Sequence, residues 1–159
     1  MKYSYQYRSP LGVITVYSDG TAVTGLVFGG APEAARADLA VFAQTEKWLD
    51  IFFSGKAPDF TPPVSLDVSP FAKAVLGFVS AIPYGETATY GEIARKTAVL
   101  LGRPLVSARA VGGAVAHNPV SLIVPCHRVI GAGGKLVGYE WGVDVKKRLL
   151  DIERACRDR

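Results

Sequence analysis

Leu122-Ile123-Val124-Pro125-Cys126-His127-Arg128-Val129 puts a thiol, an imidazole and a guanidinium in a row behind an apolar, β-branched lead-in. Cys126 is one of two cysteines in the chain and His127 one of two histidines, so their adjacency reads as chemistry rather than accident. A thiol beside imidazole and positive charge ionises below the free value of about 8.5. The stretch therefore reads as a reactive cysteine with a lowered pKa. It follows an extended segment, 120–124, and precedes a tight turn or wing, Ile130-Gly131-Ala132-Gly133-Gly134-Lys135-Leu136.

Upstream, helix signals accumulate. Ser69-Pro70 supplies an N-cap and a first-position proline, and Ala72, Val75, Leu76 and Val79 share one face of the helix that follows. Pro83-Tyr84-Gly85 ends it. Thr89-Tyr90-Gly91-Glu92 has the form of a capping box and starts a second helix to about Thr97. Pro104 starts a third, through Arg109 to about His117, and Asn118-Pro119 stops it. A final helix runs from Asp144 to about Ala155 with Val145, Leu149 and Ile152 inward. Two short consecutive helices joined by a turn resemble a helix-turn-helix.

The N-terminal part reads differently. Runs 3–8, 12–18 and 22–28 are rich in Tyr, Val and Thr, and Asp19-Gly20 between two of them is a hairpin signal, which predicts a small antiparallel sheet. Pro32 to Ala43 and Thr45 to Phe53 read as helices. Lys56 to Val68, with Pro58, Pro62 and Pro63, reads as a linker. The fold class is α+β. Residues 1–68 form a small domain with an antiparallel sheet, plus the linker, and residues 69–159 form a mostly helical, winged-helix-like domain.

Composition excludes several classes. No apolar run approaches the roughly 18 residues that span a bilayer, and Met1 to Arg8 carries no signal-peptide core, so a cytoplasmic protein without membrane contact is expected. Two cysteines make no disulfide framework. Cys126, Cys156, His117 and His127 are the whole Cys/His supply and lack paired metal spacing, so no metal site is expected. Residues 1–68 carry 5 Lys/Arg and 7 Asp/Glu, net −2, while residues 69–159 carry 13 and 7, net +6. The thiol lies in the basic half. That field suits a polyanion, nucleic acid first, or a merely solvated basic surface. Ala108-Arg109-Ala110-Val111-Gly112-Gly113-Ala114 is nearly all small. It suits tight packing on another helix, or a helix lying in a minor groove with one long side chain inserted into the base stack.

These motifs together resemble the O6-alkylguanine-DNA alkyltransferases. The resemblance runs from about Phe71 to Glu153. It takes in Ile82-Pro83-Tyr84-Gly85-Glu86-Thr87, Thr89 to Ala94, Arg109 to Ala114, Asn118-Pro119, Pro125 to Gly131, Gly138-Tyr139 and Lys146 to Glu153. It implies a ribonuclease-H-like N-terminal domain. It also implies direct reversal of damage: binding of double-stranded DNA containing O6-alkylguanine, extrusion of the base, and irreversible transfer of its alkyl group to Cys126, with O4-alkylthymine as a further substrate. No cofactor is implied. The expected species is a monomer, with cooperative assembly on DNA left open.

The resemblance also assigns residues. Cys126 is the nucleophile, activated through a bridging water by His127, which Glu153 orients. Read alone, Glu153 is a solvated helix residue. Asn118 braces the turn. Tyr90 donates to the flipped base, although taken alone it reads as a core tyrosine of the capping box. Arg109 fills the gap left by the base, on a DNA-binding helix face formed with Ala108, Gly112 and Gly113. Pro125, Val129, Tyr139, Glu140 and Trp141 form the alkyl and base pocket, with the Cys126 and Val129 carbonyls accepting the guanine amino group and the Glu140 N–H meeting O6. Arg128 is structural or phosphate-facing, and Cys156 an exposed bystander.

Two features depart from the family pattern. The stretch between Tyr90 and Arg109 is long, through Val99-Leu100-Leu101-Gly102, which lengthens the turn before the third helix. Trp141 stands where a small residue is usual, and so favours or excludes groups larger than methyl. Three readings compete with this one. An alkyltransferase-like lesion binder lacks the acceptor cysteine that this chain has. A Cys-His hydrolase has no separate signature here. A plain winged-helix regulator has no use for Pro125-Cys126-His127.

Overall fold

The three β-rich runs form strands β1 (Tyr3–Ser9), β2 (Gly12–Ser18) and β3 (Val23–Phe28). The structure is a computed structural model that describes residues 3–30, 35–36 and 38–157. β1 and β2 pair antiparallel, with Tyr3 opposite Ser18 and Ser9 opposite Gly12. β2 and β3 do the same, with Val16 opposite Leu26. Asp19 Oδ1 accepts from the N–H groups of Thr21 and Ala22, at 3.0 Å each, and closes the turn between β2 and β3.

Among the described residues, the helix expected over 32–43 is present only from Ala40 onward. Ala35–Arg36 is a short strand, β4, running parallel to β1 with Ala35 opposite Tyr3 and Arg36 opposite Ser4, so the sheet order is β3-β2-β1-β4. The outer edge of β1 offers unpaired backbone groups, and pairing with them overrides the local preference for helix. Residues 31–34 and 37 lie outside the described residues. One unbroken helix, α1 (Ala40–Phe53), replaces the two expected. It buries Val41, Phe42, Thr45, Trp48, Leu49 and Phe52, one face at helical spacing. Tyr5 of β1 stacks on Phe42 at 5.7 Å.

The free edge of β3 is covered by two pieces of chain. Val23 N–H donates to Pro63 O at 2.7 Å, and Ser65 N–H donates to Val23 O at 2.9 Å, so part of the expected linker is tied to the sheet. Leu26 N–H donates to Pro119 O at 2.9 Å, and Ser121 N–H to Leu26 O at 3.2 Å. This second tie anchors the segment that leads to Cys126.

The remaining elements are α2 (Pro70–Ser80), β5 (Ala88–Thr89), α3 (Tyr90–Leu101), α4 (Ala108–Ala116), β6 (Val129–Ile130) and α5 (Val143–Arg157). The Ser69 and Thr89 side chains cap α2 and α3 as their sequence contexts predict. β5 and β6 pair in parallel and place Thr89 beside the turn after Cys126.

Four features differ from the sequence reading. α3 runs a full turn beyond Thr97, to a left-handed cap at Gly102 (φ 64°), so Val99-Leu100-Leu101 lengthens a helix rather than a turn. Pro104 lies in that turn, and α4 is started by Ser107, whose Oγ accepts from Ala110 N–H at 3.0 Å. Residues 120–124 are not extended. Leu122 adopts φ 70°, a conformation costly for a bulky residue, and its side chain is wholly buried. In α5 the buried stripe is Lys146, Leu149, Leu150 and Glu153, while Val145 and Ile152 are half-buried. Among the described residues no helix is long and apolar enough to cross a membrane.

Candidate active site

Cys126, His127 and Arg128 form a single 3-10 turn at the centre of the molecule, and all three are buried. The three side chains separate. His127 and Arg128 both meet Glu153, which α5 brings in from 26 residues away in sequence. His127 Nε2 bonds Glu153 Oε2. Oε1 of the same carboxylate accepts from Arg128 Nε at 2.8 Å and from Gly85 N–H at 2.9 Å.

The Ile82-Pro83-Tyr84-Gly85 turn builds the rest of this socket. Arg128 also donates to Ile82 O at 2.7 Å and lies 5.4 Å over the Tyr84 ring. The Tyr84 hydroxyl donates to Phe52 O at the end of α1, and the Phe52 ring meets His127 edge-on. Gly85, at φ 85°, turns its N–H towards the carboxylate, a conformation that favours glycine. Arg128 is thus a structural clamp, which resolves the alternative left open by the sequence.

Burial alone would raise the Glu153 carboxyl, but the His127 hydrogen bond and charge and the Arg128 guanidinium hold it below its ordinary value. Burial is also the largest influence on His127, and it pushes the imidazole down against the pull of Glu153. We therefore take the pair as a carboxylate with a neutral imidazole. Nε2 then carries the proton shared with Glu153, and Nδ1 is an acceptor. Nδ1 is buried with no hydrogen-bond partner among the described residues.

The expected lowering of the Cys126 pKa is reversed. Burial pushes the thiol up. The adjacent imidazole and guanidinium do not offset it, because both are committed to Glu153. The influences that do lower it come from elsewhere: hydrogen bonds from Asn118 and Ser121 and the Lys146 ammonium. Asn118 also donates to Val124 O at 2.9 Å and accepts from Val120 N–H at 3.0 Å, and so pins both ends of the strained Leu122 turn.

In front of Cys126 is a cavity of about 340 Å³. Tyr90 from α3, Gly112, Val115 and Ala116 from α4, Ser121, and the segment 137–141 line it. Of the predicted pocket residues, Tyr139, Glu140 and Trp141 line this space. Val129 and Pro125 are buried and do not. The Val129 carbonyl already accepts from Lys146 Nζ at 2.5 Å. The Tyr139 hydroxyl lies against Cys126 but is buried without a fully formed hydrogen bond. Burial raises both Tyr139 and Tyr90, so both stay protonated. Trp141 stands as a wall, its Nε1 donating to Ser121 Oγ at 3.0 Å and its ring tilted against Phe28 of β3.

A second cleft, of about 640 Å³, opens beside the first and contains Arg109, Ala108, Gly112, Tyr90 and Arg95. Gly113 faces a different groove, with Ala110, Ala114, His117 and Phe71. A methyl group on Gly113 would meet nothing within 4 Å, and one on Gly112 would meet only Tyr90, at 3.9 Å. Gly112 and Gly113 therefore do not serve close packing inside the protein, whereas Ala114 packs against the core. Ser121 and Lys146 escaped sequence reasoning. Ser121 carried no local signal. Lys146 had one, a charge on the inward stripe with Leu149, Leu150 and Glu153. The Cys156 side chain lies outside the described residues.

Fold and site define a class: an α+β protein whose cavity ends on a cysteine backed by a His–Glu–Arg network. The comparisons narrow that class. Residues 70–155 match the family model described as 6-O-methylguanine DNA methyltransferase, DNA binding domain, and residues 1–66 match its ribonuclease-like domain. A methylated-DNA–protein-cysteine methyltransferase of Methanosarcina acetivorans is 38% identical over 156 residues, covering 94% of this chain and 97% of its own. One of Mycobacterium bovis is 40% identical over 152 residues, covering 92% and 89%. The crystal structure of Mycobacterium tuberculosis OGT in complex with DNA superimposes with a TM-score of 0.84 at 37% identity, covering 97% and 94%. The chain belongs to the 6-O-methylguanine DNA methyltransferase family.

Proposed function

We propose that this protein, a methylated-DNA–protein-cysteine S-methyltransferase, repairs double-stranded DNA by moving the alkyl group of O6-alkylguanine to Cys126 Sγ in one irreversible turnover. The observation that carries the reading is the position of Cys126, at the end of a cavity and next to a histidine whose other nitrogen is held by Glu153. Burial keeps the resting thiol protonated, so the thiolate has to be made when the substrate is bound. A neutral imidazole with a free Nδ1 suits that task.

A water between Sγ and Nδ1 carries the thiol proton to His127, and the imidazolium formed is stabilised by Glu153. The thiolate sulfur attacks the saturated alkyl carbon. The new S–C bond forms as the C–O6 bond breaks, and its electron pair leaves with guanine. Tyr90, protonated in its half-buried position, donates to the purine ring nitrogen as charge develops there. The guanine anion is then protonated by the proton first taken up at His127, relayed through water or Tyr90. The products are neutral guanine and S-alkylcysteine, a thioether whose sulfur is a poor leaving group and keeps its alkyl group.

O6 is inaccessible in a stacked duplex, so the base has to be turned out into the cavity. The exposed small face of α4 in a minor groove, with Arg109 filling the vacated stack, accomplishes this. O4-alkylthymine presents the same alkyl–oxygen bond and is a second substrate. The protein acts as a cytoplasmic monomer, with residues 69–159 holding the DNA and the acceptor and residues 1–68 bracing them. In the test, Cys126→Ala is titrated with a duplex containing labelled O6-methylguanine. It should bind the duplex as the parent does and take up no label; label transferred to the variant would remove Cys126 from its role.

A further inference from the structure

The cleft of about 640 Å³ beside the alkyl cavity has two arginines in its lining and no carboxylate. The other spaces differ: the cavity in front of Cys126 includes Glu140, and the groove that Gly113 faces includes Asp67. Arg109 already has a task in the reading above, filling the vacated stack. Arg95 has none. Both are exposed, and among the described residues neither has a carboxylate within 4.0 Å.

Contact with a glycine shows where the Arg95 guanidinium lies. Arg95 stands four residues after Gly91 on α3, and helix side chains lean towards the N-terminus. A methyl group on Gly91 would lie 3.6 Å from Arg95 Nη1, so the guanidinium folds back over the first turn of α3. Glu92, the acidic residue of that turn, neither lines the cleft nor pairs with Arg95. Two like charges therefore share one cleft with no internal counter-charge among its lining residues, an arrangement that an anion balances. The cleft also shares Tyr90 and Gly112 with the alkyl cavity. A nucleotide whose base fills the cavity brings its own backbone to this cleft.

We propose that Arg95 is a DNA-binding residue: its guanidinium holds one of the two phosphodiesters that flank the extruded nucleotide, while Arg109 enters the stack. The proposal deepens the DNA-repair reading and rests on it. Extrusion turns the nucleotide about its backbone, and a guanidinium can fork onto two phosphate oxygens and fix the new path. Such a contact positions the strand without reading its sequence.

The test combines Arg95→Gln with duplexes in which one phosphate flanking O6-methylguanine is replaced by an uncharged methylphosphonate. Binding is measured on a Cys126→Ala background, so that the lesion stays intact. Arg95→Gln should weaken duplex binding roughly tenfold and lower the slope of log affinity against log salt by about 1. Arg95→Lys should recover the slope. The melting temperature and the reaction of the Cys126 protein with free O6-benzylguanine should not change. One of the two methylphosphonates should cost the parent the same roughly tenfold and cost Arg95→Gln nothing further. Additive losses at both positions, or a slope untouched by Arg95→Gln, would overturn the proposal. An equal loss in Lys96→Gln would overturn it too, because Lys96 is an exposed cation of the same helix outside the cleft. If the Cys126 protein takes up no methyl from the duplex, the repair reading fails and the proposal with it. Normal transfer by that protein, beside an Arg95→Gln variant that binds as the parent does, confines the failure to Arg95.

Discussion

The two sides of Cys126 are built on opposite principles. Behind it, His127, Arg128 and Glu153 are nearly sealed from water, and the carboxylate takes bonds from His127, Arg128 and the Gly85 N–H. In front, the face of α4 carries Ala108, Arg109 and Gly112, and a methyl group on Gly112 would meet only Tyr90, at 3.9 Å. The rear is completed within the protein except at His127 Nδ1. The front has bare helix backbone and an arginine for which the described residues supply no hydrogen-bond partner. Such a contrast separates the part of a site that prepares a reactive group from the part that waits for a macromolecule.

The contrast breaks most severely if the rear loses one charge. Glu153→Gln leaves Arg128 buried and unpaired, and stability should fall by about 3–5 kcal/mol, read from urea unfolding. A loss below 1 kcal/mol would mean that the network is not sealed. The front is tested next by Arg109→Ala. Transfer from the duplex should slow about a hundredfold, corresponding to a few kcal/mol of unstacking that the side chain no longer offsets. Reaction with free O6-benzylguanine should barely change. Equal losses on both substrates would remove Arg109 from base extrusion.

Acid probes the rear more gently. Glu153 has a folded-state pKa below its unfolded value, so its contribution is present above about pH 4.3 and is lost as pH falls through the folded value. His127 is also depressed, so the neutral imidazole favours the folded state above about pH 6.5, and that advantage shrinks as pH falls below it. Both act in the same direction. The urea midpoint should decline steadily from pH 7 towards pH 4, and a flat midpoint would contradict the assigned charge states. The smallest effect is expected at Gly112→Ala. The new methyl group finds ordinary contact with Tyr90 at 3.9 Å, so the helix should gain up to about 1 kcal/mol, seen as a higher melting temperature. Duplex binding should weaken, because the backbone can no longer approach a groove as closely. A variant both less stable and undiminished in binding would reverse the account of that face.

The front was more legible in sequence than the rear. Ser69 and Thr89 cap backbone N–H groups three residues on, and the small-residue run around Gly112 is contiguous, so local pattern reveals them. Cys126-His127 announced chemistry, but its electrostatics came out reversed, because adjacency in sequence sent the side chains to different partners and burial decided the thiol. Glu153 was found through a family motif and not from its own surroundings, since its partners lie 25 and 26 residues upstream and at Gly85. The strand at Ala35–Arg36 was missed for the same reason, because its partner is the edge of β1. The missed turn at Leu122 depends on Asn118 bonds and on the tie between Leu26 and Pro119.

The central claim is that Cys126 receives one alkyl group and keeps it. The direct measurement is intact-protein and peptide mass spectrometry after incubation with an excess of O6-methylguanine duplex. The account predicts a gain of one methyl group per chain, on the peptide containing Cys126, with no further turnover. Lesion binding without a gain in mass, or more than one lesion repaired per chain, would contradict it.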